Sequence, residues 1–165
     1  VNLFNTVSEN LNDLMDLKDI TLLLEIILQC VKIKSKIVSS DEKEKGARRI
    51  LNFGHTFGHA LETYFDFDTI RHGEAIAYGM LLAGSLSVHY STLSNQDYEL
   101  LRHTIKKLPL PTLKAIDSQK ILNIMKNDKK VNQGKLSFIL LDQIGHAVVH
   151  ENISERNIIN ALETL

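Results

Sequence analysis

Apolar residues recur along most of this chain at helical spacing. They are densest between Ile20 and Ile33. Ile20, Leu23, Leu24, Ile27 and Val31 form one face there, and Leu22, Ile26, Cys30 and Ile33 fill most of another. With Asp19 as N-cap, the pattern predicts a helix to about Val38 that is buried on most sides. A shorter helical stretch, residues 2–14, precedes it. The polar run 39–46 reads as a connector. A second helix is expected from near Ala47 through Leu51, His55 and Leu61 to about Tyr64, followed by a loop over 66–72. A third long helix, 73–90, is rich in small residues: Ala75, Ala77, Gly79, Ala83 and Gly84. Glycine inside a helix costs about 1 kcal/mol relative to alanine, so its use points to close backbone approach to another helix or to a ligand. Ser94 to Asp97 start a further helix to Lys107, which Pro109 and Pro111 end, and Asp117 caps one to about Asn127. The period then changes. Residues 136–141 and 146–150, joined by Asp142, Gln143, Ile144 and Gly145, predict a hairpin, and Ser154 caps a last helix. The expected fold class is mainly α: a multi-helix domain with one small β-hairpin near the C-terminus.

Composition narrows this picture. At 165 residues, 44% hydrophobic and 24% charged, the chain has the balance of one folded domain with core enough to stand alone. A net charge of −1, from 19 Lys+Arg and 20 Asp+Glu, argues against wholesale phosphate neutralisation and gives no support to a nucleic-acid partner. The single cysteine, Cys30, cannot form an internal disulfide, and its apolar neighbours suggest a buried thiol. No signal-peptide pattern is visible at Val1 to Asn5. The apolar stretch 22–33 carries Glu25, Gln29 and Lys32 and is too short to span a bilayer. A cytoplasmic protein with no membrane partner is the expectation.

The candidate chemistry is concentrated. Five of the eight glycines lie from Gly54 to Gly84, and so do three of the seven histidines: His55, His59 and His72. Both residue types are locally costly, and such anomalies collect at functional sites. His55 and His59, four apart, share a helix face. Thr56 stands where a zinc protease needs glutamate, which excludes that mechanism. His55 and His72, at adjacent helix ends, suit a shared divalent ion with a carboxylate as third ligand; a hydrogen-bonded buried pair is the alternative. Glu62 and Glu74 are nearby carboxylates, each equally readable as an ordinary helix charge. Arg48, Asn52 and His55 follow one another at helical spacing and project to a common side. Lys34 falls on an otherwise apolar pattern, where it either meets an anion or snorkels to solvent. Lys126, Asp128, Lys129 and Lys130 form a charge run of the kind that is usually solvated. His89, His103, His146 and His150 have no partner pattern and read as structural.

Two segments are recognisable together. Arg48-Arg49-Ile50-Leu51-Asn52-Phe53-Gly54-His55-Thr56-Phe57-Gly58-His59-Ala60-Leu61-Glu62, followed by His72-Gly73-Glu74-Ala75-Ile76-Ala77-Tyr78-Gly79-Met80, resembles the signature of 3-dehydroquinate synthase. Asp41 to Gly46 ahead of it, and Asp128-Lys129-Lys130 after it, fit the same family. The resemblance extends over essentially the whole chain and is to the helical second domain of the family enzyme. It implies conversion of 3-deoxy-D-arabino-heptulosonate 7-phosphate to 3-dehydroquinate and phosphate, in the shikimate pathway of aromatic amino-acid biosynthesis. It also implies zinc or cobalt, NAD bound mainly by a preceding Rossmann-like domain of the same protein, and a homodimer. Carried over by position, His55 and His72 are implied as metal ligands, and Arg48 and Lys34 as groups near the substrate carboxylate. Asn52 and His59 are implied near the phosphate, with one of Lys129 and Lys130 as a further phosphate contact. His59, Arg48 and Lys34 are thus the implied catalytic set.

The chain also departs from the family. The family's third metal ligand is a glutamate followed shortly by a catalytic lysine, and no Glu-x-x-Lys segment stands before the first long helix here. No glycine-rich NAD loop is present, since Gly54 to Gly58 follows no strand. The isolated 165 residues are therefore expected to bind metal weakly and to turn over nothing. The competing readings are an iron-type polyol or alcohol dehydrogenase domain, another sugar-phosphate cyclase, or a non-catalytic helical module. Arg48 and Lys34 discriminate among the enzymes, because a substrate without a carboxylate has no use for them.

Overall fold

The computed structural model describes residues 2–43, 46–131 and 136–165, with the backbone alone over 128–131. Its contacts divide into two units, Val1–Leu51 and Asn52–Leu165.

The first unit is a pair of packed helices, α1 (Asn2–Met15) and α2 (Ile20–Ser40). Leu17, at φ 55°, turns the chain between them. Asp19 caps α2 as expected, its carboxylate accepting the Leu22 amide at 2.9 Å. Asp41 closes the other end with its backbone N–H on the Val38 carbonyl, and its carboxylate accepts the amides of Gly46 at 2.7 Å and Arg48 at 3.0 Å.

The expected burial of α2 is not observed. Only Ile26 is buried, whereas Leu24 is 60% and Val31 58% exposed. Cys30 is exposed as well, against the reading of a buried thiol. An apolar stripe reports which side of a helix avoids water. It does not report what covers that side.

A short 3-10 helix, Ala47–Asn52, leads into the second unit. There the expected single helix from Ala47 to Tyr64 is broken. Gly54 sits at φ 83°, a left-handed conformation that L-residues seldom adopt, and α3 (His55–Tyr64) starts afresh after it. The spacing that put Arg48, Asn52 and His55 on one helix face therefore does not apply. After α3 come α4 (His72–Tyr90), α5 (Asn95–Lys106) and α6 (Ser118–Val131). Ser94 and Asp117 cap α5 and α6 through the amides of Asp97 and Lys120. An antiparallel hairpin of β1 (Ser137–Gln143) and β2 (His146–Glu151) follows, then α7 (Glu155–Leu162), capped by Ser154.

The hairpin is tighter than its sequence suggests. Asp142 and Gln143 belong to β1, and the turn is Ile144–Gly145, with Gly145 at φ 89° and a register shift between Leu141 and Gln143. The core is formed by Phe57 and Leu61 of α3, Leu82 and Leu86 of α4, Ile121 and Leu122 of α6, Phe138 and Leu140 of β1, and Ile158 and Leu162 of α7. Phe57 and Phe138 pack with ring centres 5.2 Å apart. Ser87, fully buried, accepts the Leu141 amide at 2.9 Å and so fixes β1 to α4. Asp142 fastens the same strand to the end of α4, accepting the Ser91 hydroxyl at 2.5 Å. Burial of these side chains leaves α3 and α4 as the rigid pair on which the histidines stand. No described helix is long and apolar enough to cross a membrane.

Candidate metal centre

The helical glycines explain how the site is built. A Cβ at Gly79 would lie 2.1 Å from the Gly54 carbonyl oxygen and 2.8 Å from the Gly58 amide nitrogen. The backbone of α4 thus rests directly on the first turn of α3. The anomaly in the sequence is a close crossing of two helices, the first of the two explanations considered for it. The two helices run past each other in opposite directions, so His72, which opens α4, lies level with Glu62, and its ring meets those of His55, which opens α3, and His59, one turn further on.

The three imidazoles form one cluster. Ring centres are 5.4 Å apart for His55 and His59, and 5.8 Å for His72 with either partner. One ligand atom from each lies within 4.8 Å of the other two. A tetrahedral zinc has bonds of about 2.0–2.1 Å to nitrogen, which puts its ligand atoms roughly 3.4 Å apart. The trio surrounds a volume of the right order and has to close by about an ångström.

The protonation of His55 favours a metal. Burial holds the His55 imidazole below the usual histidine range, with the neighbouring His59 and His72 acting in the same direction against a weaker rise from backbone hydrogen bonds. A neutral ring is the form that ligates. The Nδ1 of His55 is 3.4 Å from the Phe53 carbonyl oxygen, and Nδ1 of His72 is 3.1 Å from each carboxylate oxygen of Glu62. Histidine donors, a neutral state and a Glu62 carboxylate behind one ring together fit zinc or cobalt chemistry.

The two carboxylates left undecided by the sequence now separate. Glu74 accepts the Arg71 amide at 2.8 Å and caps its own helix. Glu62 is buried on α3 and faces His72. The signal for it was available, since a carboxylate one turn beyond His59 is within reach of the histidine cluster, but spacing alone could not choose between the two.

Lys34 is exposed on α2 of the first unit. Arg48, in the same unit, is half-buried and fastened to the connector, its guanidinium donating to the Glu42 carbonyl at 3.0 Å. Asn52 is half-buried at the start of the second unit. The side chains of Lys129 and Lys130 lie outside the described residues. Of the histidines read as structural, His146 pairs with Asp142 at 3.3 Å and His150 stacks edge-on against Tyr90 at 5.9 Å.

Residues 1–131 match the family model described as 3-dehydroquinate synthase C-terminal. The 3-dehydroquinate synthase of Desulforamulus reducens is 37% identical over 161 residues, which is 96% of this chain and 45% of that protein. That of Acinetobacter baumannii is 41% identical over 144 residues, 87% of this chain and 40% of the relative. The chain thus spans under half the length of the curated relatives it matches. Among solved structures, a 2-epi-5-epi-valiolone synthase from Streptomyces hygroscopicus with NAD+ and Zn2+ bound superposes with a TM-score of 0.86. It is 23% identical and aligns with 99% of this chain and 46% of its own, a likeness of fold. A 2-deoxy-scyllo-inosose synthase complexed with carbaglucose-6-phosphate, NAD+ and Co2+ gives a TM-score of 0.72 at 26% identity, over 84% of this chain and 40% of its own.

Proposed function

The chain belongs to the 3-dehydroquinate synthase family, and from that membership we propose that it supplies the metal- and substrate-binding half of an enzyme making 3-dehydroquinate. The substrate is 3-deoxy-D-arabino-heptulosonate 7-phosphate, and the reaction releases phosphate and closes a carbocycle. The observation that carries this reading is the histidine trio, with ligand atoms within 4.8 Å of one another.

His55 and His72 would hold a divalent ion, zinc or cobalt, with a carboxylate as its third ligand. When bound, the ion supplies Lewis acidity to the substrate hydroxyls, and NAD takes up and returns a hydride. His55 contributes as a neutral imidazole because its burial disfavours the proton. His59, exposed beside the pair, donates to the phosphate and orients it as it leaves. Asn52 and one of Lys129 and Lys130 complete the phosphate contacts. The start of α3 is suited to that end of the substrate, because unpaired amides at a helix N-terminus favour an anion. Lys34 and Arg48 bind the carboxylate and fix which end of the substrate faces the ion. The protein's share of the rate is positioning and electrostatics. The active assembly is a homodimer.

A second reading, cyclisation of a different sugar phosphate, has the 2-deoxy-scyllo-inosose synthase in its favour. The higher identity of the dehydroquinate synthases, 37% and 41%, weighs against it. Lys34 and Arg48 weigh the same way, since a sugar phosphate without a carboxylate leaves them idle. The test is phosphate release by the full-length protein from the heptulosonate phosphate against glucose 6-phosphate, with glycerol oxidation as the dehydrogenase control. Turnover of the first alone is expected, with loss of at least 100-fold in His55→Ala and His72→Ala. Turnover of either alternative in its place rejects the assignment. The 165 residues alone are expected to release no phosphate.

A further inference from the structure

We infer that Glu62 is a positioning residue: it holds the Nδ1 proton of His72 and so presents the other ring nitrogen, Nε2, to the metal. The inference rests on the reading of His55 and His72 as metal ligands and goes beyond it to a residue that is not itself a ligand.

Glu62 is 8% exposed on α3. A carboxylate in such a place is costly unless it is hydrogen-bonded. Both of its oxygens are 3.1 Å from Nδ1 of His72, which reaches back from the first residue of α4. No buried side-chain nitrogen or oxygen among the described residues lacks a partner, so Glu62 is a satisfied group with a defined job.

A neutral imidazole has a single N–H. Once that proton sits on Nδ1, facing Glu62, the lone pair is on Nε2, and the ring cannot turn away without breaking the bond. His72 needs this help, because its side chain is 60% exposed. Glu62 is anchored where His72 is not, being inside a helix whose neighbours Leu61 and Ala60 are core. Outer partners of this kind typically change metal affinity or activity by about 10–100-fold.

The test is made on metal-free, 15N-histidine-labelled full-length protein at pH 8, where nitrogen shifts report the tautomer of each ring directly. His72 is expected with its proton on Nδ1. In Glu62→Met, which has similar length but no acceptor, that preference is expected to disappear. A proton on Nε2 in the unaltered protein, or an undisturbed Nδ1 proton in the variant, overturns the inference. Co2+ titration of the same proteins gives the second readout. Glu62→Met is expected to weaken binding by about 10–100-fold, with helical circular dichroism retained, and the isosteric Glu62→Gln, whose carbonyl oxygen can still accept the Nδ1 proton, is expected to weaken it less. Unchanged Co2+ affinity in both, while His72→Ala loses it, overturns the role of Glu62 alone. Unchanged affinity in His72→Ala overturns the metal reading along with it.

Discussion

The contact between Gly79 and Gly54 makes a sharp claim about what holds the histidines in place. In Gly79→Ala the new methyl lies 2.1 Å from the Gly54 carbonyl oxygen, whereas ordinary contacts begin at 3.4 Å. The obstruction is more than an ångström deep and is backbone on both sides, so no side chain can rotate out of the way. The helices must separate or α3 must shift along its axis. Alanine's better helix propensity returns about 1 kcal/mol. Overpacking costs typically 1–3 kcal/mol and occasionally more, and a rigid backbone clash belongs at the upper end. The balance is a loss of about 2 kcal/mol. At about 2–4 °C per kcal/mol for a protein of this size, the melting temperature should fall by roughly 4–8 °C.

Two other glycines of α4 serve as internal controls. A Cβ at Gly73 meets nothing within 4 Å, so Gly73→Ala should be neutral or stabilising. A Cβ at Gly84 meets Leu101 at 3.0 Å and Tyr98 at 3.1 Å, side chains that can yield in part, and the loss there should be intermediate. Thermal melts of the three variants give the order, and Co2+ titration shows whether the cluster moves with the crossing. Metal affinity should fall in Gly79→Ala and hold in Gly73→Ala. If Gly79→Ala melts at or above the parent temperature with metal affinity intact, the helix crossing is not what positions His55, His59 and His72.

Other consequences are open to measurement. Ser87→Ala leaves the buried Leu141 amide without its acceptor and should cost about 1–3 kcal/mol; a denaturant midpoint unchanged from the parent would contradict this. Because folding holds His55 below its usual range, the unfolded chain takes the proton first. The stability contributed there is present above the ordinary histidine value of about 6.5 and is lost as pH falls through the lowered one. Urea midpoints of the metal-free protein should fall over that window, and the fall should shrink in His55→Gln. The Ser91 hydroxyl, and secondarily His146, hold the Asp142 carboxyl below the usual carboxylate range. Its contribution is present above about 3.9 and is lost as acid carries it through the lowered value. Asp142→Asn should remove that acid-range loss and speed amide exchange in β1, and an unaltered acid profile would count against the anchor.

How far the sequence carried, and where it stopped, follows from what each signal measures. Capping is local, so Asp19, Ser94, Asp117 and Ser154 marked helix starts that the structure keeps. Residues with a local cost are also informative: the glycines of the third helix indicated close backbone approach to a helix or a ligand, and the structure shows a helix there. The break at Gly54 was hidden for the opposite reason. A glycine at a helix crossing and a glycine at φ 83° look identical in sequence, although only the second ends a helix. That single dihedral removes the spacing argument that joined Arg48 and Asn52 to His55. Their roles near the substrate rest on family resemblance, as do those of Lys34, Lys129 and Lys130. The apolar face of α2 failed in another way. Periodicity recorded a surface that avoids water, yet Leu24, Val31 and Cys30 stand exposed, because a pattern on one helix holds no information about its cover. Glu62 and Glu74 show the finest limit. Each lies near the trio in sequence and each suits a helix, and the choice between a cap and a histidine partner turns on a rotamer. In the structure Glu74 caps α4 and Glu62 meets His72, so the outer half of the candidate metal centre rests on a contact that residue spacing does not encode.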